Sequence, residues 1–135
     1  MPESANSLIV QKSKTMKFTY YGHSCFLVET MGKKILFDPF ISYNELAVDI
    51  NINNIRADYI LVSHGHSDHI ADCISIAENT QAKVVCNWEI HEWLNKQGIK
   101  HTHPMNTGGK WNFGDFTVKC VVAQHSSSMP DGDNG

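Results

Sequence analysis

The chain has 135 residues, room for one domain around one modest core. Its 41% hydrophobic and 19% charged residues have the balance of a soluble globular protein, and no apolar run approaches the roughly 20 residues that span a bilayer. A net charge of −3, from 11 basic against 14 acidic side chains, gives no basic footprint for nucleic acid, so neither nucleic acid nor a membrane is an expected partner.

Residues 1–15 are polar and lack the apolar centre of a signal peptide, so they read as a disordered leader before a folded part over 16–135. Lys17 to Tyr21 and Ser24 to Thr30 are β-prone. Gly32 then marks a turn into Lys34 to Phe37, so a hairpin is expected, ended by Asp38-Pro39. Residues 41–57 are Asn-rich and predict a loop with a short helical piece. Asp58 to Ser63 reads as a buried strand. Ile70, Cys73, Ile74 and Ala77 recur at helical spacing and predict a helix over 69–79. Lys83 to Cys86 is a further strand. Asn87 is placed to cap a helix carrying Ile90, Trp93 and Leu94, and Gly98 to stop it. Ile99 to His103 reads as a strand closed by Pro104, Gly108-Gly109 as a turn, and Phe116 to Val122 as the last strand, which delivers His125. Residues 126–135 offer almost nothing to bury. Strands first and then strand–helix alternation predict a layered α/β (α+β) domain. The cysteines, Cys25, Cys73, Cys86 and Cys120, are widely spaced in apolar segments. They read as buried small hydrophobes, and a reducing cytoplasm is the expected location.

The chemistry concentrates in His64-Gly65-His66-Ser67-Asp68-His69, four metal-ligand side chains in six positions directly after a strand. Imidazole and carboxylate hold zinc, manganese or iron at neutral pH. Histidines at i and i+2 of an extended loop point to one side and can grip one cation. Asp68 and His69, at the turn into the helix, project differently and can hold a second. Two cations about 3.5–4 Å apart share one water or hydroxide, a strong nucleophile near neutral pH. His125, also following an apolar strand, is the expected third ligand beside His64 and His66. His23, after Gly22 at a strand junction, lines the site or caps a turn. Asp38, at a strand end, orients a ligand histidine or is an ordinary turn acid. His91 is expected on an exposed helix face, and His101-Thr102-His103, beside Pro104, is the weaker ligand-like pattern.

The run His64 to His69 resembles the H-x-H-x-D-H motif of the metallo-β-lactamase superfamily at every defined position. Tyr21-Gly22-His23-Ser24-Cys25-Phe26, Phe37-Asp38-Pro39-Phe40 and His125-Ser126-Ser127 resemble its branch of uncharacterised metal-dependent hydrolases related to L-ascorbate-6-phosphate lactonase. The resemblance implies an αββα sandwich with the site at one edge of its two sheets. It implies His64, His66 and His125 on the first metal and Asp68 and His69 on the second. It also implies that Asp68 takes a catalytic part, orienting the shared hydroxide or moving a proton. The family pattern goes on to a metal-bridging aspartate and a final histidine. No residue after His125 has the context of either, and Asp131 and Asp133 sit in a Gly-rich tail. The resemblance therefore covers the N-terminal half of such a fold and leaves the second site short of ligands.

Two functions follow as expectations. One is a metal-dependent hydrolase, zinc first with manganese or iron as alternatives and one or two ions, in which metal-bound hydroxide attacks a small ester, lactone or phosphoester substrate; a nuclease of the same superfamily ranks below it. The other is a metal-binding half-domain, inactive alone. Its bare sheet face would be covered by a further copy in a homo-oligomer, by a complementing chain or by a remainder of the protein.

Overall fold

Side-chain alternation gives one sheet two apolar faces, and a different element packs on each. The computed structural model describes residues 15–132, so the leader expected over 1–15 lies, Thr15 apart, outside the described residues. Strands β1 (Lys17–Gly22), β2 (Cys25–Thr30) and β3 (Lys33–Phe37) pair antiparallel in chain order. The expected hairpin is the β2–β3 pair, closed by Met31 and Gly32 at φ 51° and 74°. Strands β4 (Tyr59–Leu61), β5 (Lys83–Asn87) and β6 (Thr102–Met105) then add in parallel, completing a six-stranded sheet in the order β1-β2-β3-β4-β5-β6.

On one face, Leu27, Leu36, Ile60 and Val84 join Ile70, Cys73, Ile76, Ile90 and Leu94 in a single buried core. The helical residues come from α1 (Ser67–Ile70), α2 (Cys73–Thr80) and α3 (Trp88–Lys96). Helix α3 begins as the sequence predicts, with the Asn87 side chain accepting from Ile90 N at 2.8 Å. On the other face, Tyr59 packs edge-on against Phe113 and Phe116, and His103 lies against Trp111 and Phe113. These partners belong to a second, two-stranded sheet, β7 (Lys110–Asn112) with β8 (Thr117–Lys119). The same face carries the stacked row Phe18, Phe26 and Phe37, at centroid spacings of 5.0 and 4.5 Å, and leaves Phe18 and Tyr20 58% and 62% exposed. No helix among the described residues is long and apolar enough to cross a membrane.

Four expectations change. The helix expected over 69–79 is two helices, because Asp72 ties the junction to the loop after β3. Its N–H donates to Pro39 O at 3.0 Å, and its carboxylate accepts from Ile41 N and Ser42 N at 2.6 and 2.9 Å. Pro104 lies inside β6 rather than closing it, which an edge strand permits because one side of its backbone needs no ladder donor. The last strand ladders only over Thr117–Lys119, with a partner, β7, that the sequence pattern does not announce. Its continuation to His125 runs without a ladder. Nor is the tail idle: Met129 is buried in the main core, and Asp131 accepts from Trp93 Nε1 at 2.5 Å.

That tail packs directly on the histidine loop. Gly65 N–H donates to Ser127 Oγ at 3.0 Å, and a Cβ at Gly65 would sit 2.5 Å from Met129 Sδ and 3.1 Å from Ser128 O. The methionine tip can yield, but the carbonyl must shift. Gly65→Ala is therefore expected to cost about 1–3 kcal/mol of stability, the usual range for overpacking. Urea unfolding measures it, and an unchanged midpoint would contradict the close packing of this segment on the loop.

Candidate metal centre

The site forms where β3 and β4 end side by side. Asp38 follows β3, its N–H donating to Leu61 O at 3.0 Å, and adopts the left-handed conformation at φ 40°. This turns its carboxylate under the loop that leaves β4. Asp38 is buried, and its carboxylate accepts from Ser63 N, Ser63 Oγ and His69 Nδ1 at 2.7, 2.7 and 3.0 Å. A carboxylate so bonded is a stable acceptor even out of water.

The network fixes two imidazoles. Because the His69 Nδ1–H donates to Asp38, the His69 Nε2 lone pair is free. The Ser63 hydroxyl donates to Asp38 and so accepts from His64 Nδ1, 2.9 Å away. The His64 Nε2 lone pair is thereby freed as well. One carboxylate thus sets the tautomers of two candidate ligands, one directly and one through a serine.

The freed nitrogens meet others. His64 Nε2 lies 3.1 Å from His66 Nδ1, and His125 Nε2 lies 3.2 Å from the same atom. One donor atom each of His64, His66 and His125 falls within 4.8 Å of the other two, a group able to hold a metal ion. Three imidazole nitrogens this close cannot all be satisfied by one another's protons, whereas a cation satisfies all of them. Burial first, then the neighbouring His69 and His66, hold the His64 imidazole below its ordinary pKa despite Asp38. That keeps it neutral, the form that binds metal.

A second such group is His23, Asp68 and His69. His23 Nε2 lies 3.1 Å from Asp68 Oδ2, and the His64 and His69 rings, 4.1 Å apart, set the two groups side by side. For Asp68, burial acts to raise the pKa. His69, a hydrogen bond from its own backbone and His23 outweigh it, so the carboxyl stays below its usual range and ionised at neutral pH.

The structure therefore brings His64, His66, Asp68, His69 and His125 together, and sets Asp38 behind them, bonded to His69 and to Ser63. His125 arrives from the small sheet rather than the main one. His23 lines the site, beside Asp68. Ser63 is the residue that sequence reasoning missed, although a hydroxyl between a buried strand and a ligand histidine was the available signal. The remaining histidines stay apart. His91, partly buried rather than exposed, bonds Thr102 Oγ1 at 2.7 Å. His101 bonds Gln81 O, and His103 packs on the small sheet. All four cysteines are free, and burial pushes the Cys25 and Cys86 thiols up to about 12, far from thiolate chemistry.

This mixed sheet, helices on one face and a paired-histidine loop at a strand end define a metallo-β-lactamase-like fold. The chain belongs to the β-lactamase superfamily, whose domain model matches residues 17–134. It is 50% identical over 120 residues to a UPF0173 metal-dependent hydrolase of Methylacidiphilum infernorum, covering 89% of this chain and 53% of that protein. Its counterpart in Carboxydothermus hydrogenoformans is 50% identical over 117 residues, covering 87% and 51%. Igni18, a novel metallo hydrolase from the hyperthermophilic archaeon Ignicoccus hospitalis, superposes with a TM-score of 0.75 at 32% identity, covering 88% of this chain and 53% of its own. The metallo-β-lactamase SMB-1 shares the fold at a TM-score of 0.54 and 19% identity, covering 76% and 48%. The chain spans about half the length of the curated relatives it matches.

Two outcomes test the network. Ser63→Ala leaves His64 Nδ1 without its acceptor and is expected to weaken metal binding about 10–100-fold, with Ser63→Thr close to wild type; chelator competition reads both, and equal affinities for Ala and Ser would remove Ser63 from the network. For pH, the unfolded chain protonates His64 at about 6.5, and the folded chain only at a lower value. The stability contribution of neutral His64 is therefore intact above about 6.5 and lost as pH falls through the lower folded value. In chelator, the denaturation midpoint should fall over that window by less in His64→Asn than in wild type.

Proposed function

We propose that this chain supplies the metal centre of a metal-dependent hydrolase acting on a small ester, lactone or phosphoester. The observation that carries the reading is the convergence of His64 Nε2, His66 Nδ1 and His125 Nε2 at 3.1 and 3.2 Å. The names of its relatives, metal-dependent hydrolase and metallo hydrolase, support it. His64, His66 and His125 would hold one ion, and Asp68 with His69 would belong to another. Three imidazoles favour zinc, while the mixed group also suits manganese or iron. A divalent cation there supplies Lewis acidity to the substrate oxygen and acidifies a coordinated water toward neutrality. The chain's own residues do the rest. Asp38 and Ser63 hold the imidazoles in one tautomer and orientation. Asp68, ionised and half exposed, is the base placed to accept a proton from the attacking water.

A second reading has its own support. Phe18 and Tyr20 stand exposed on a stacked aromatic face, and the chain spans about half of its relatives. On this reading the chain binds metal but turns nothing over until a second copy or a complementing chain covers that face.

One experiment separates the two. The metal-stripped chain is reloaded with zinc or manganese, and ion content is measured beside hydrolysis of a generic phosphodiester and a lactone. The enzyme reading expects bound metal and turnover, both falling toward background in His66→Ala. Bound metal without turnover selects the half-domain. Full metal content in His66→Ala would overturn the ligand set common to both.

A further inference from the structure

We propose that a cavity beside the histidine loop is a substrate subsite for an apolar chain, so that the compound cleaved at the metal centre is a carboxylic ester or lactone with an alkyl or aryl tail. The inference rests on the metal-dependent hydrolase reading above and narrows its substrate class. The cavity is open to solvent and measures about 480 Å³, within the usual range of small-molecule sites. Ser67, Ile70, Ala71 and Ile74 form one wall, at helical spacing along α1 and into α2. Phe40 and Tyr43, from the loop after β3, and Trp93, from α3, also line it.

The lining selects against charge. No Lys, Arg, His, Asp or Glu is among the described residues that form it. A phosphate entering it would shed water and gain no counter-charge. Its polar side-chain groups are the hydroxyls of Ser67 and Tyr43 and the Trp93 indole N–H, which is already given to Asp131. An alkyl or aryl chain instead gains by leaving water. Ile74 fits this use. Its helical spacing marks it for the core, yet it stays partly buried at the core's edge while Ile70 and Ile76 are buried.

Position ties the cavity to the metal centre. Ser67 stands in the chain between the candidate ligands His66 and Asp68. Phe40 meets the His23 ring edge-on at 5.6 Å, and His23 Nε2 lies 3.1 Å from Asp68 Oδ2. A substrate whose scissile bond lies at the ligand groups can therefore lay its tail past Ser67 toward Ile74. The competing explanation is a plain packing gap beside the core. The walls, however, are tied in place. The buried Asp72 accepts from Ile41 N and Ser42 N, which locks the loop carrying Phe40 and Tyr43 to the helices carrying Ile70 and Ile74. Asp131 fixes the Trp93 indole. The cavity thus keeps its shape without an occupant, as pre-formed ligand sites do.

The test compares two hydroxamic acids on the full chain loaded with zinc. Both present the same metal-binding head, acetohydroxamic acid with a methyl group behind it and hexanohydroxamic acid with a pentyl chain. The longer compound should bind about tenfold more tightly or better. Ile74→Trp, which fills the cavity, and Ala71→Leu, which narrows it, should each erase most of that advantage at wild-type zinc affinity, and the retained zinc shows that they fold. On the metal-free chain, 1-hexanol should move the NMR resonances of the Trp93 Nε1–H and the Ile74 methyls saturably, while inorganic phosphate leaves them in place. The proposal is overturned if the pentyl chain adds no affinity, if its advantage survives both variants, if hexanol does not move those resonances, or if phosphate moves them as hexanol does. A chain that binds no zinc overturns the metal-centre reading, and the hexanol titration then still reads the cavity by itself.

Discussion

A single buried carboxylate governs this site. Asp38 holds the N–H and hydroxyl of Ser63 and the Nδ1 of His69, and through Ser63 it reaches Nδ1 of His64. Imidazoles are useful ligands only when the nitrogen that faces the metal carries the lone pair. Here the opposite nitrogens of two rings are tied to the protein, one in each of the two neighbouring ligand groups. The left-handed backbone of Asp38 is what places the carboxylate under the loop, so the strain at φ 40° belongs to the same device.

The fold serves that device by delivering three segments to one place. Parallel pairing of β3 with β4 aligns Asp38 with the histidine loop. The turn between β1 and β2 brings His23 from one side, and the stretch after the small sheet brings His125 from the other. Gly65 makes the second approach possible, since only a residue without a side chain leaves room for Ser128 and Met129 against the loop. Tyr20 holds the turn between β1 and β2 through its hydroxyl, which donates to His23 O at 2.9 Å, while its ring and that of Phe18 stay exposed.

Local chemistry was legible in the sequence, and long-range assembly was not. The dense motif from His64 to His69 marked the candidate ligands because alternation and proximity act within six residues. The hairpin around Gly32 and the capped helix after Asn87 were readable for the same reason. The break at Asp72 was hidden because its cause is a bond to Pro39, far along the chain. The role of Met129 was hidden because one apolar residue in a polar tail carries no periodicity. His23 was ambiguous because a lone histidine at a turn looks the same whether or not a carboxylate from a distant loop meets it.

The central claim is that His64, His66 and His125, oriented from behind by Asp38 and Ser63, form a ligand group for one metal ion. Anomalous diffraction at the zinc edge from zinc-loaded crystals tests it most directly. The account predicts a peak bounded by His64, His66 and His125. No peak there, or a zinc bound only elsewhere on the chain, would contradict it.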